Sequence, residues 1–123
     1  MIEDKFYKIE KNHYGFHDSN DFNIGLLYTL VDDFSSTGFY QILIDSLSDI
    51  NSTGITGELT YLDIENNRAT IQYQFDDEEK TLTIDRAHLL ELVKKWRELC
   101  EQNVPGIVIS REGDKFEIAA INQ

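Results

Sequence analysis

The sequence predicts an α+β fold, with an antiparallel β-sheet (a meander plus a C-terminal hairpin) packed against two helices at about 38–50 and 86–102. Three observations carry this prediction. Leu89, Leu92, Val93, Trp96, Leu99 and Cys100 recur at helical spacing. Ala69, Ile71, Tyr73 and Phe75 alternate strictly with Arg68, Thr70, Gln72 and Gln74, the pattern of a strand with one wet face. Finally, "GIVISREGDKFEIAAI" reads as two alternating runs around Glu112-Gly113-Asp114, a β-hairpin signature. At 123 residues, with no repeat or Pro/Gly/Ser linker, the chain reads as a single domain, 1–123.

From the N-terminus, "FYKIE" reads as an edge strand and "NHYGFHDSND" as a loop or a short strand running into one. The run "IGLLYTLV" (24–31) is read as a buried strand, with a helical turn as the alternative, because periodicity does not separate the two in so apolar a segment. In "GFYQILIDSLSDI", Phe39, Ile42, Leu43, Leu47 and Ile50 form a helical stripe, with Ser36 or Thr37 as its cap. "TGELTYLDIE" reads as one strand turning at Glu65-Asn66-Asn67, and its apolar phase slips at Tyr61–Leu62, which suggests a bulge. Leu82 and Ile84 mark the third strand of the meander. Asp85 is suited to cap the next helix, and Pro105-Gly106 stop the chain from extending it.

Charge narrows the function. The net charge is −12, and residues 37–84 hold nine acids against two bases. Direct nucleic-acid binding is disfavoured, because phosphate contacts require Lys and Arg. A basic protein partner is favoured, because opposite potentials steer encounter. No segment reaches the ~20 apolar residues of a membrane helix, no signal-peptide run opens the chain, and the single Cys100 excludes an internal disulfide. These features point to a cytoplasmic protein without membrane contact.

Chemistry-bearing residues are few. His13 and His17 are four apart, but Gly15 between them argues against the helix that would aim both at a metal, and no Glu supplies a base. Cys100 sits on the apolar helix stripe, the setting of a structural thiol. His88 falls in a first helical turn, where an imidazolium is disfavoured, and Trp96 sits mid-stripe as a core residue. "NST" at 51–53 matches a glycosylation sequon that a cytoplasmic chain does not use. We therefore expect neither catalysis nor a cofactor nor a metal.

The acidic residues are the remaining candidates. Asp76, Asp77, Glu78 and Glu79 form a run between two strands. Neighbouring charges ~6 Å apart in water repel by about 0.7 kcal/mol, which is tolerable in an exposed turn and prohibitive in a core. With Asp63 and Glu65, this run is the expected interface, and Asp32, Asp33, Asp45 and Asp49 form a second patch.

The small acidic chain, the meander, the helix "LLELVKKWREL" and the closing "GIVISREGDKFEI" together resemble bacterial immunity proteins of polymorphic-toxin and contact-dependent growth inhibition systems. The resemblance covers roughly residues 56–121 and implies a stoichiometric inhibitor. Such a protein binds a cognate toxin domain, often a basic nuclease, and uses acidic side chains to block its phosphate-binding site. A general interaction or scaffold domain without a toxin partner is the alternative. Neutralising Asp76–Glu79 together should leave thermal stability within about 0.5 kcal/mol and slow association with a basic partner, as stopped-flow mixing would report.

Overall fold

The computed structural model describes residues 1–15, 21–74 and 80–121. Its elements are β1 (Ile2–Glu10), β2 (His13–Gly15), α1 (Phe22–Thr37), α2 (Tyr40–Ser48), β3 (Gly54–Thr56), β4 (Thr60–Glu65), β5 (Arg68–Tyr73), β6 (Thr81–Asp85), α3 (Arg86–Glu101), β7 (Gly106–Glu112) and β8 (Lys115–Ala120). The α+β class, the antiparallel pairing and the helices near 38–50 and 86–102 all stand. The strands divide into two four-stranded sheets, ordered β2-β1-β7-β8 and β3-β4-β5-β6.

The meander forms as its alternation predicts. Leu62 pairs with Ile71, and Ile71 with Leu82, which puts Leu62, Ile64, Ala69, Ile71, Leu82 and Ile84 on one buried face. The turn at Asn66-Asn67 is closed by Glu65 opposite Arg68, with Asn66 at φ 56. The hairpin β7–β8 turns at Gly113, whose φ of 60 falls in the left-handed region that favours glycine. It joins β1 and β2 rather than the meander.

Four local expectations change. The segment 24–31 lies inside α1, a sixteen-residue helix. Asp21 caps it by accepting from the Ile24 amide at 3.0 Å, and Gly38 ends it with φ 82. Its apolar residues point in every direction because both sheets and both other helices touch it, so no one-sided stripe exists to be read. "FYKIE" belongs to an inner strand, because β2 folds back to cover the edge that β1 would expose. "TGELTYLDIE" is divided between β3 and β4 by a tight turn, in which the Gly57 amide donates to the Thr60 carbonyl at 2.8 Å. From Thr60 on, the register runs without a slip, so Tyr61 faces outward with no bulge. Ser36 and Thr37 belong to α1, and α2 starts after Phe39 with no side-chain cap.

The orientation of α2 also differs from its expected stripe. Tyr40, Leu43, Ile44 and Leu47 are buried, while Phe39, Ile42 and Ile50 are exposed. Tyr40 fixes this rotation by donating its hydroxyl to the Val93 carbonyl of α3 at 2.5 Å. The last carbonyls of α2 are met by Arg86, at the start of α3. Its Nε donates to Leu47 O at 2.8 Å, and its guanidinium also reaches the carbonyls of Asp49 and Asn66. One cation thus satisfies the negative end of a helix and a β-turn together.

The stripe of α3 buries as predicted, with Trp96 fully enclosed. Phe6, Tyr14 and Tyr28 stand edge-on around its indole, with centroids at 6.3, 5.7 and 6.1 Å. The chain has one tryptophan, so its emission should be blue-shifted when folded and red-shift on unfolding. By that signal, Arg86→Ala should lower unfolding stability by about 2 kcal/mol, the usual loss for charge-assisted hydrogen bonds.

Candidate partner-binding surface

The acidic residues separate into an inward and an outward set. Asp21, Asp32 and Asp33 all belong to α1 or its cap, and all three are buried. Asp32 and Asp33 are only 7% and 5% exposed, which removes them from the expected second surface patch. The reason is positional: α1 is covered on every side, and each carboxylate meets hydrogen-bond donors there.

Asp32 serves β2. Its Oδ1 accepts from the Tyr14 amide at 3.0 Å, and its Oδ2 from His13 Nδ1 at 2.8 Å. Burial pushes its carboxyl above the usual aspartate range, opposed by these donors. Tyr28 lies alongside and donates its hydroxyl to the Tyr14 carbonyl; burial first, and the Asp32 charge second, push its phenol up. Asp33 serves the β3–β4 turn, accepting from the Leu59 amide at 3.0 Å and Thr60 Oγ1 at 3.2 Å. Gly57 makes this approach possible, since a Cβ there would stand 2.4 Å from Asp33 Oδ2. Asp21 caps α1 and binds Arg111 of β7 through both carboxylate oxygens, at 2.6 and 2.7 Å. The Arg111 guanidinium holds its carboxyl below the usual range.

Of the candidate residues, Asp45 and Asp49 at α2 and Asp63 and Glu65 on β4 are exposed, as are acids of other elements such as Glu91, Glu98 and Glu117. Asp63 stands opposite Gly54 and Thr70 on the solvent face of its sheet, and Glu65 opposite Arg68. Arg86 links the Asp49 and Asn66 carbonyls, so the end of α2 adjoins the turn beside Glu65. Asp49, Asp63 and Glu65 therefore share one side of the molecule. The run Asp76–Glu79 lies outside the described residues.

Three of the other singled-out side chains, His88, Cys100 and His13, have structural partners. His88 Nε2 accepts from the Phe116 amide at 3.1 Å, fastening α3 to β8. Cys100 is buried and unoxidised, with Sγ 3.6 Å from Ser35 Oγ, and burial raises its thiol pKa. His17 lies outside the described residues, and His13 is committed to Asp32. An open groove of about 950 Å³ runs between the ends of the two sheets. Its walls carry Arg68, Arg111 and Lys115 together with Asp85, Glu112, Asp114 and Glu117, so neither sign of charge dominates it.

Phe39, Ile42 and Ile50 were not legible as surface residues. The available signal was the alternative stripe Tyr40, Leu43, Ile44, Leu47, which has equally regular helical spacing. No protein-family model, curated protein or solved structure matches this chain.

The Asp21–Arg111 pair gives a signed pH dependence. Because the folded carboxyl is depressed, its stabilisation is present above the unfolded pKa of about 3.9 and is lost as pH falls through the folded value. Asp21→Asn should thus cost about 2 kcal/mol at neutral pH. The gap to wild type should close towards strongly acid pH, as urea denaturation at a series of pH values would record.

Proposed function

We propose that this chain is a non-enzymatic, cytoplasmic immunity protein that binds and neutralises a basic toxin domain, with a nuclease as the expected class. The observation that carries this reading is the division among its acids. Those of α1 are consumed by internal hydrogen bonds, whereas Asp45, Asp49, Asp63 and Glu65 stand exposed without serving the core. The stretch 37–84, which has the densest acidic excess, supplies all four of these exposed residues. Its one described solvent-facing strand cation on β5 is Arg68, set between Glu65 and Asp85.

The physical role follows. An inhibitor must reach the toxin before the toxin reaches its substrate, and a negative face raises the encounter rate with a positive one. A face that imitates the charge of a phosphate backbone competes directly for the cations that would hold nucleic acid. Neither step needs a cofactor. Exposed carboxylates at α2 and β4 are held on regular elements, so little side-chain and backbone order is lost on binding beyond the carboxylates themselves.

The test is co-expression with the product of the neighbouring reading frame, scored by growth rescue and co-purification. Rescue with a 1:1 complex is expected. Its association rate should fall at least tenfold between about 0.05 and 0.5 M salt, as screening shortens the reach of surface charge. Association that ignores ionic strength would remove the electrostatic basis of this reading.

A further inference from the structure

From the outer face of α2 we infer an apolar anchor site, formed by Phe39, Ile42 and Ile50 with Asp45 and Asp49 at its side, that takes an apolar segment flanked by Lys or Arg on the partner protein. This inference rests on the immunity reading and specifies where the complex is held.

The three side chains are 56%, 51% and 86% exposed. Among the described residues, none of them belongs to the buried core or to the partly buried side chains packed against it. Phe39 stands at the N-cap of α2 without a side-chain hydrogen bond, while the core is filled by the neighbouring stripe Tyr40, Leu43, Ile44 and Leu47. Phe39 and Ile42 are one turn apart on the helix, joined by the Ile42 amide donating to Phe39 O at 3.1 Å. Ile50 follows the C-cap Asp49. Single exposed apolar residues are ordinary, but an aromatic and an isoleucine one turn apart on a short helix, with a second isoleucine just past its C-cap, form a patch.

The charges beside the strip define its occupant. Asp45 follows Ile42 by one turn, and Asp49 follows by two, so both carboxylates border the apolar residues. Two cations that reach α2 are already engaged. Arg86 is bound to the carbonyls at the helix end, and Arg97 is shared between Gln41 Oε1 at 2.6 Å and Glu101 Oε1 at 3.1 Å. A second copy of this chain would bring Asp45 and Asp49 against like charges, which disfavours self-pairing. A basic partner instead gains both terms: apolar contact at the centre, and charge pairing at the rim. This is the usual anatomy of an interface hot spot.

The test uses the product of the neighbouring reading frame as the probe, with surface plasmon resonance at several salt concentrations. The double variant Phe39→Ser/Ile42→Ser should keep the unfolding midpoint and Trp96 emission of wild type. It should weaken binding about 30-fold or more, mainly through faster dissociation. Asp45→Asn/Asp49→Asn should instead slow association and flatten the salt dependence. Ile50→Ser lies beyond the helix and tests the same strip should the double variant fail to fold; a loss of at least fivefold supports the site. Amide exchange should show protection of 39–50 in the complex. Unchanged affinity in the Phe39/Ile42 variant, or in Ile50→Ser if that variant must replace it, overturns the anchor site and leaves the immunity reading standing. Failure of the wild-type chain to bind or rescue overturns both. A wild-type dimer that the serine variants dissociate also overturns the anchor site, because the strip would then serve self-association.

Discussion

The rest of this structure depends on burying a whole helix between two sheets. Neither sheet extends through the core to meet the other; α1 fills the space and touches strands of both. A helix covered on all sides cannot leave polar groups to water, so each one must find a partner inside the protein. Asp32 and Asp33 do so by accepting from the amides of Tyr14 and Leu59, and Asp21 by gripping Arg111. Three carboxylates that are expensive to bury are thereby made into the fasteners of β2, of the β3–β4 turn and of β7. Removing one partner would strand a buried charge, a larger penalty than the net worth of the bond itself.

This arrangement bears directly on function. An acidic composition says only that negative charge is abundant, not where it acts. In the folded chain some of that charge is internal and structural, and a distinct remainder stands on α2 and β4. The two sets differ in what surrounds them. The internal carboxylates accept from donors on other elements, whereas among the described residues Asp45 and Asp49 accept only from their near neighbours Gln41 and Asn51, and Asp63 and Glu65 stand on the solvent face of β4. Arg86 connects the two regions mechanically, since the same guanidinium that ends α2 also holds the turn next to Glu65. The outer carboxylates are therefore carried on a fixed frame.

Much of the architecture was legible because local periodicity reports burial on one side. The stripe of α3, the β4–β5–β6 meander and the β7–β8 hairpin each have one wet face and one dry face and are read from spacing, except that the bulge expected at Tyr61–Leu62 is absent. Where burial is not one-sided the signal fails. The segment 24–31 is apolar all round and reads as a strand; only its flanking Asp21 and Gly38, a cap and a left-handed stop, mark it as helical. In α2 two stripes fit the period equally well, and the choice is made by Tyr40 reaching Val93, a contact more than fifty residues away that no local pattern encodes. The same limit misplaced Asp32 and Asp33, whose polarity suggested a surface until α1 was in place. Asp45, Asp49, Asp63 and Glu65 were read as exposed and are so.

The pairing of β1 with β7 reaches nearly the full length of the chain, with Ile2 opposite Arg111. During synthesis, β1 and β2 emerge well before their main partner β7, which follows all three helices. The meander, whose strands are close neighbours in sequence, has no such delay. Local pairings close early and distant ones late, so a nascent chain would hold a finished β4–β5–β6 sheet beside an open β1 edge. Such an edge is a template for pairing with other chains. The charged residues on β1, including Glu3, Lys5, Lys8 and Glu10, make that waiting strand a poor partner for aggregation while β7 is still being made.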